Sequence, residues 1–184
     1  MRIFVAIDVG DEKIIERLRG AQEILRISGA DLKLVEPQNL HFTMKFLGEV
    51  PEVLVRDVES RLASVSRGSF SVGYRGLGVF PSPSRISVVW VGAQRDSAER
   101  LDRLASEVDQ ALQGISTRDS GKFQPHVTIA RVRSGREKEN LVREVTKHVD
   151  TFFGEEKVGP LKLKRSELTP GGPIYTDLAV FDHD

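Results

Sequence analysis

Apolar and polar residues along this chain show two periodicities, one typical of β-strands and the other of amphipathic helices. Residues 2–9 are mainly β-branched, aromatic or otherwise apolar, which predicts a first strand. After Asp11, which suits a helix N-cap, apolar residues recur every three to four positions until residues 28–30 break the pattern. The same reasoning predicts strands at 32–35, 40–47 (ended by Gly48), 69–80, 85–91, 123–132, 158–168 and 174–181, and helices with apolar stripes at 54–65, 98–112 and 141–149.

The order of these elements predicts an α+β fold. Strands and helices interleave, and both hairpins and crossovers join them, so we expect antiparallel or mixed sheets. Each half of the chain carries two helices and several strands, which indicates an internal duplication. We therefore expect residues 1–184 to form a single domain of two lobes related by a pseudo-twofold axis. In that arrangement the sheets line a central cleft and the helices lie outside, while the strand order stays open.

Composition narrows the classes of function. The chain has 184 residues, with 27 basic and 27 acidic side chains, so a broadly basic nucleic-acid coat is excluded and any RNA contact is expected to be local. The absence of cysteine excludes a disulfide framework, a thiol nucleophile and a cysteine zinc site. The apolar start is too short to cross a membrane and lacks a signal-peptide cleavage pattern, so we expect a soluble, cytoplasmic protein.

A short motif occurs twice and carries the candidate chemistry. The first copy contains His41 and Thr43, and the second contains His126 and Thr128, each on a predicted strand that follows a turn proline. In a strand, residues i and i+2 share a face, so each motif presents an imidazole and a hydroxyl together while its apolar residues point into a core. If the lobes are related by a pseudo-twofold axis, the two polar faces meet across the cleft.

Two imidazoles and two hydroxyls suit one kind of reaction. Histidine titrates near pH ~6.5, so one ring can be protonated and the other neutral, as concerted general acid–base catalysis requires. Threonine hydroxyls can donate to an anionic oxygen between the rings. An anion with entering and leaving oxygens in line is a phosphodiester, and the histidines lack the spacing of metal ligands, so we expect chemistry without a metal or cofactor.

A lone His-x-Thr on a strand is most often structural, and the matched pair is what favours catalysis. The other two histidines, His148 and His183, have no such surroundings and are predicted to lie on the surface.

The chain resembles the 2H phosphoesterase superfamily through these motifs. Within it, the longer segments HFTMKFLG (41–48) and HVTIAR (126–131) are similar to the RNA 2′,3′-cyclic phosphodiesterase branch, also called 2′-5′ RNA ligases. The opening eight residues and the segment 166–181 extend the similarity to nearly the whole chain. The resemblance implies an enzyme that opens 2′,3′-cyclic phosphates at RNA 3′ ends to leave a 2′-phosphomonoester. We expect its partners to be such RNA ends, tRNA fragments among them, or nucleotides, and we expect a monomer.

The resemblance also implies roles for individual residues. His41 would give a proton to the leaving ribose oxygen, and His126 would accept one from water, although the residues alone leave open which is acid and which is base. Thr43 and Thr128 would hold the phosphate oxygens.

Phe46 and Arg131 each lie five residues after their histidine, and in similar proteins the terminal nucleobase lies between these positions. Arg131 also suits a phosphate contact. Both would face away from the histidines on a regular strand, so a bulge or strand end must redirect them, whereas Lys45 would face the cleft. Phe46 as a core residue is the competing interpretation. The basic runs at 131–138 and 162–165 would be either a lip for RNA or, as is more usual, solvated faces.

The sequence is also compatible with two other functions. One is RNA end-joining through a 5′-hydroxyl nucleophile, which gives a 2′-5′ linkage. The other is a module that binds nucleotides or RNA ends without chemistry, which the presence of both histidines and both threonines disfavours.

Overall fold

The computed structural model describes residues 1–66, 68–115 and 122–182. The sequence also predicts a polar, glycine-containing loop at 114–122, and most of it falls outside these ranges. His183 lies outside them as well, so its predicted surface position stays a prediction. Within the described part, no helix is both long and apolar enough to cross a membrane.

Strands and helices alternate as an α+β fold, which confirms the predicted class. The bounds are β1 (Arg2–Asp8), α1 (Glu12–Ile27), β2 (Leu32–Leu34), β3 (His41–Glu49), α2 (Val55–Leu62), β4 (Ser71–Ser82), β5 (Arg85–Ala93), α3 (Arg95–Ala111), β6 (His126–Val132), α4 (Lys138–Lys147), β7 (Phe152–Lys157), β8 (Leu161–Thr169) and β9 (Gly172–Phe181).

The first helix shows how local sequence fixes an element. Asp11 caps α1, and its side chain accepts hydrogen bonds from the backbone N–H groups of Lys13 and Ile14, which the helix itself leaves unpaired. The predicted apolar stripe is buried, and Gly29 adopts a positive φ of 77° just beyond the helix end.

Three local predictions were wrong. Strand β7 was missed, because two phenylalanines followed by glycine and three charged residues give no alternation. Gly48 does not end β3 but lies inside it with a φ of 74°, at an irregularity in the pairing with β1. Val149, expected on the stripe of α4, follows the end of that helix and is 60% exposed.

The nine described strands form one antiparallel sheet in the order β7-β4-β5-β6-β3-β1-β8-β9, with β2 beside the far end of β6. The central pairing of β3 with β6 divides the other eight strands into two sets of four, which are the two lobes. Helices α1 and α4 pack on the lobe of β4 to β7, whereas α3, with α2 against it, packs on β3 of the other lobe. The outer helices and the cleft between lobes therefore follow the expected plan.

The lobes correspond strand by strand. Asp8 of β1 pairs with His41, and Gly92 of β5 pairs in the same way with His126, so β5 is the counterpart of β1. By the same comparison β4 is the counterpart of β8. Each lobe thus contains strands from both halves of the chain, because β4 pairs with β5 in one lobe while β8 and β9 extend the sheet from β1 in the other. Strand exchange of this kind is set by long-range contacts, so sequence periodicity leaves it open.

Candidate active site

The two motifs meet at the centre of the sheet. Phe42 of β3 pairs with Val127 of β6 in antiparallel register. On that register His41 lies across from Thr128, and Thr43 lies across from His126, all on one face. Residues directly opposite on antiparallel strands have Cβ atoms about 4.5–5.5 Å apart. All four side chains line a single cavity of about 570 Å³.

Both histidines are held by the same local hydrogen bond. Nδ1 of His41 lies 2.7 Å from the carbonyl oxygen of Asn39, and Nδ1 of His126 lies 2.7 Å from that of Gln124. A carbonyl only accepts, so Nδ1 donates in each ring and carries hydrogen. The Nε2 atoms are therefore the positions at which protons are gained and lost.

Burial lowers the pKa of both imidazoles, and the hydrogen bond to the backbone carbonyl opposes that shift in each case. The pKa of His41 is also raised by Asp8 and lowered by Lys164 and by His126. Both rings therefore hold a second proton less readily than a free imidazole does. A phosphate anion bound between them would favour a proton on one of the two.

Aromatic rings bracket each histidine. Phe4 and Tyr175 lie beside His41, with ring centroids 5.2 and 5.4 Å away. Phe80 and Trp90 lie beside His126, at 4.9 and 6.2 Å. The alternation of β1 places Phe4 on the cleft face, but no pattern in the sequence indicated the other three, because distant strands bring them in.

Two matching β-bulges redirect the strands after the motifs. In β3, Met44 is an extra residue in the pairing with β1, and in β6, Ile129 is an extra residue in the pairing with β5. Each bulge lies three residues after its histidine and reverses the alternation of side chains beyond it. Phe46 and Arg131 accordingly line the same cavity as the histidines.

The same bulge sends Lys45 to the opposite face, so its predicted position at the cleft is wrong. Its side chain is 7% exposed and forms an ion pair with Asp109 of α3. Lys45 thus joins a helix to the back of the sheet.

The basic run at 131–138 does not line the cavity along its whole described length. Within the described run at 131–138, Arg131 is the residue that lines the cavity, while Lys138 donates to the carbonyl oxygen of Ser84. Two cations that the sequence did not single out, Arg2 and Lys33, also line it. The guanidinium of Arg2 lies 5.0 Å from the centre of the Phe46 ring.

His148 is half-buried at the end of α4, where its Nδ1 lies 3.0 Å from Oγ1 of Thr151, outside the cavity lining. In the described ranges, no three histidine, cysteine or acidic side chains form a group suited to a metal ion.

Comparison with known proteins gives a consistent result. The sequence model of the family described as "LigT like Phosphoesterase" matches twice, at residues 7–90 and 91–175. The RNA 2′,3′-cyclic phosphodiesterases of Archaeoglobus fulgidus and Methanothermobacter thermautotrophicus are 40% and 38% identical to this chain. The matches cover 99% of this chain and 100% of the first relative, and 98% of both chains for the second.

Solved structures agree with these matches. The crystal structure of TT0787 of Thermus thermophilus is 33% identical, with a TM-score of 0.78 over 98% of this chain and 97% of that one. The apo form of E. coli LigT is 26% identical, with a TM-score of 0.75 over 98% of this chain and 95% of that one. The two family matches meet between residues 90 and 91, within β5.

Proposed function

The chain belongs to the family of LigT-like phosphoesterases, and from this premise we propose that it is an RNA 2′,3′-cyclic phosphodiesterase that leaves a 2′-phosphomonoester. The observation that carries the proposal is the pairing of β3 with β6, which brings two imidazoles and two hydroxyls to one cavity. The names of the full-length relatives support the same substrate class.

The proposed reaction is an in-line displacement at phosphorus. Protonated His41 donates from Nε2 to the 3′ oxygen as the bond between phosphorus and that oxygen breaks. Neutral His126 accepts through Nε2 a proton from the water whose oxygen forms the new bond to phosphorus. One proton leaves one ring and one reaches the other, and exchange with solvent restores both. Thr43 and Thr128 donate hydrogen bonds to the two remaining phosphate oxygens.

The substrate in the cell is proposed to be an RNA fragment with a cyclic phosphate at its 3′ end, and cleaved tRNA is one source of such ends. One copy of the chain brings both histidines and both threonines to one cavity, and we propose that the chain acts as a monomer.

Product analysis tests the proposed function. An oligonucleotide that ends in a 2′,3′-cyclic phosphate is incubated with the protein in EDTA, and the 2′- and 3′-monophosphate products are separated. We expect the 2′-monophosphate alone, at the same rate with and without EDTA, and no reaction of a matched RNA ending in a linear 3′-phosphate.

A 3′-monophosphate product, or a rate that is lost in EDTA and restored by a divalent cation, would contradict the proposal. Adding an RNA with a 5′-hydroxyl end measures joining in the same reaction. A 2′-5′-linked product that accumulates faster than the monophosphate would make end-joining the principal activity.

The nucleobase is proposed to bind between Phe46 and Arg131. An aromatic face and a guanidinium plane accept any base, and stacking of one base contributes about 1–3 kcal/mol. We expect Phe46→Leu and Arg131→Met each to raise KM about tenfold, with smaller changes in kcat, for RNAs ending in any of the four bases.

Matched controls exist for both substitutions. Phe70→Leu removes another ring with an arginine over it, at 5.8 Å, away from the cavity. Arg133→Met removes an exposed cation two residues beyond Arg131. A KM that changes as much in the controls as in the cavity variants would refute base binding at this position.

A further inference from the structure

The residues on the strands next to the two histidines differ between the lobes. Asp8 pairs with His41, but its counterpart Gly92 pairs with His126. The neighbouring strand β8 supplies two lysines at 162 and 164, where the counterpart strand β4 has Gly78 and Phe80. One histidine therefore has charged neighbours at positions where the other has none.

Trp90 fills the corresponding space in the second lobe. A Cβ at Gly78 would overlap its indole, and a Cβ at Gly92 would lie 3.2 Å from it. The counterpart of Trp90 is Ala6, whose small side chain leaves room for the charged groups. The pseudo-symmetry of the site is thus broken by charge on one side and by an aromatic ring on the other.

The charged cluster consists of Asp8, Lys162, Lys164 and Asp177. One carboxylate oxygen of Asp8 lies 2.9 Å from Nζ of Lys162 and 3.0 Å from Nζ of Lys164, and Asp177 pairs with the same two ammonium groups at 2.7 and 2.5 Å. The side chain of Lys164 is 6% exposed. The other oxygen of Asp8, Oδ1, is buried and has no hydrogen-bond partner among the described residues.

We propose that Asp8 is a positioning residue whose carboxylate makes His41, rather than His126, the protonated member of the pair. The inference rests on the proposed function, in which one imidazole must be the acid. One oxygen of the Asp8 carboxylate pairs with two ammonium groups and the other is unpaired, so the negative charge of this carboxylate lies beside the strand position of His41. That charge favours an imidazolium at His41, whereas His126 has glycine at the same position and stays a neutral base.

The charged and titratable groups packed around His41 come from four strands. Asp8 on β1 raises its pKa, and Lys164 on β8 and His126 on β6 lower it, against a larger decrease caused by burial. Tyr175 of β9 contacts the ring, and Asp177 of β9 lies beyond the lysines. For His126, the pKa is set by burial and by the carbonyl of Gln124.

The test compares Asp8→Asn with Asp177→Asn. Both substitutions remove one negative charge from the same two lysines, and in each variant the other carboxylate remains to pair with them. Proton NMR follows the titration of each histidine without substrate, and kcat/KM is measured against pH for a cyclic-phosphate RNA.

In Asp8→Asn we expect His41 to titrate at lower pH while His126 is unchanged. Since the acid must be protonated, the high-pH limb of the rate profile moves to lower pH, with kcat/KM about tenfold lower at pH 8 and about unchanged on the acidic limb. In Asp177→Asn the shift of His41 is expected to be smaller. An equal shift in both variants, or none in Asp8→Asn, would overturn the inference.

A second variant keeps the inference testable if Asp8→Asn does not fold. Lys164→Met removes a cation that disfavours the imidazolium, so His41 is expected to titrate at higher pH, the opposite sign. A wild-type protein that does not hydrolyse the RNA would overturn the proposed function, whereas an unmoved His41 in an active Asp8→Asn variant would overturn the role of Asp8 alone.

Discussion

His41→Ala and His126→Ala are each expected to lower kcat/KM for a cyclic-phosphate RNA by about a thousandfold, because each removes one of the two proton transfers. Both rings line the cavity while Nδ1 is held by a carbonyl, and no other described imidazole lines it, so none can replace either one. The two rings act as a unit, so the double variant is expected to be little worse than either single variant. Single-turnover rates at pH 7 measure the effect.

His148→Ala is the matched control for this pair. It removes an equally sized imidazole that is half-buried and hydrogen-bonded to Thr151 but lies outside the cavity. Its activity is expected to stay within about twofold of the wild type. His148 does not contact the reacting atoms, so its removal is expected to leave the activation free energy of the reaction unchanged. Cooperative thermal unfolding of all three variants shows that the fold persists. A cavity variant with more than a tenth of wild-type activity would refute two-histidine catalysis.

The elements set by local chemistry were predictable. The helix α1 begins where Asp11 caps it, and its stripe is buried as the 3.6-residue period requires. The repeated His-x-Thr motif also placed its polar side chains on one face by strand alternation alone. These features need only contacts between residues that are close along the chain.

The surroundings of the site required the tertiary structure. Strand alternation predicted that Lys45 faces the cleft and that Phe46 faces away from it. The bulge at Met44 exchanges these two orientations. A bulge is set by how one strand pairs with its neighbour, so periodicity within β3 does not reveal it. Phe80 and Tyr175 reach the histidines from strands distant in sequence, which only the exchange of strands between lobes explains.

The asymmetry of the two lobes has the same origin. Asp8 looked like the end of an apolar strand, and the lysines of 162–165 looked like a solvated face. Their ion pairs form only because β1 and β8, far apart in the chain, lie side by side. A duplicated sequence can therefore give a symmetric scaffold with chemically unequal halves.

Thr43→Val and Thr128→Val are each expected to lower kcat about a hundredfold, the scale found for removing one donor to a developing phosphate or oxyanion charge. The loss should fall mainly on kcat, because negative charge on the phosphate oxygens is greatest in the transition state. Valine keeps the volume and β-branching of threonine, so the strands are expected to be preserved. Rates and KM for the cyclic-phosphate RNA measure the effect.

Serine substitutions distinguish the effect of the hydroxyl group on activity from the effect of side-chain packing at these two positions. Thr43→Ser and Thr128→Ser keep the donor and lose a methyl group, so we expect activity within about tenfold of the wild type, well above the valine variants. Thr151→Val, which removes a hydroxyl beside His148 outside the cavity, is expected to leave kcat unchanged. Serine variants as slow as the valine variants would show that these residues act through packing, and the hydroxyls would then have no part in holding the phosphate.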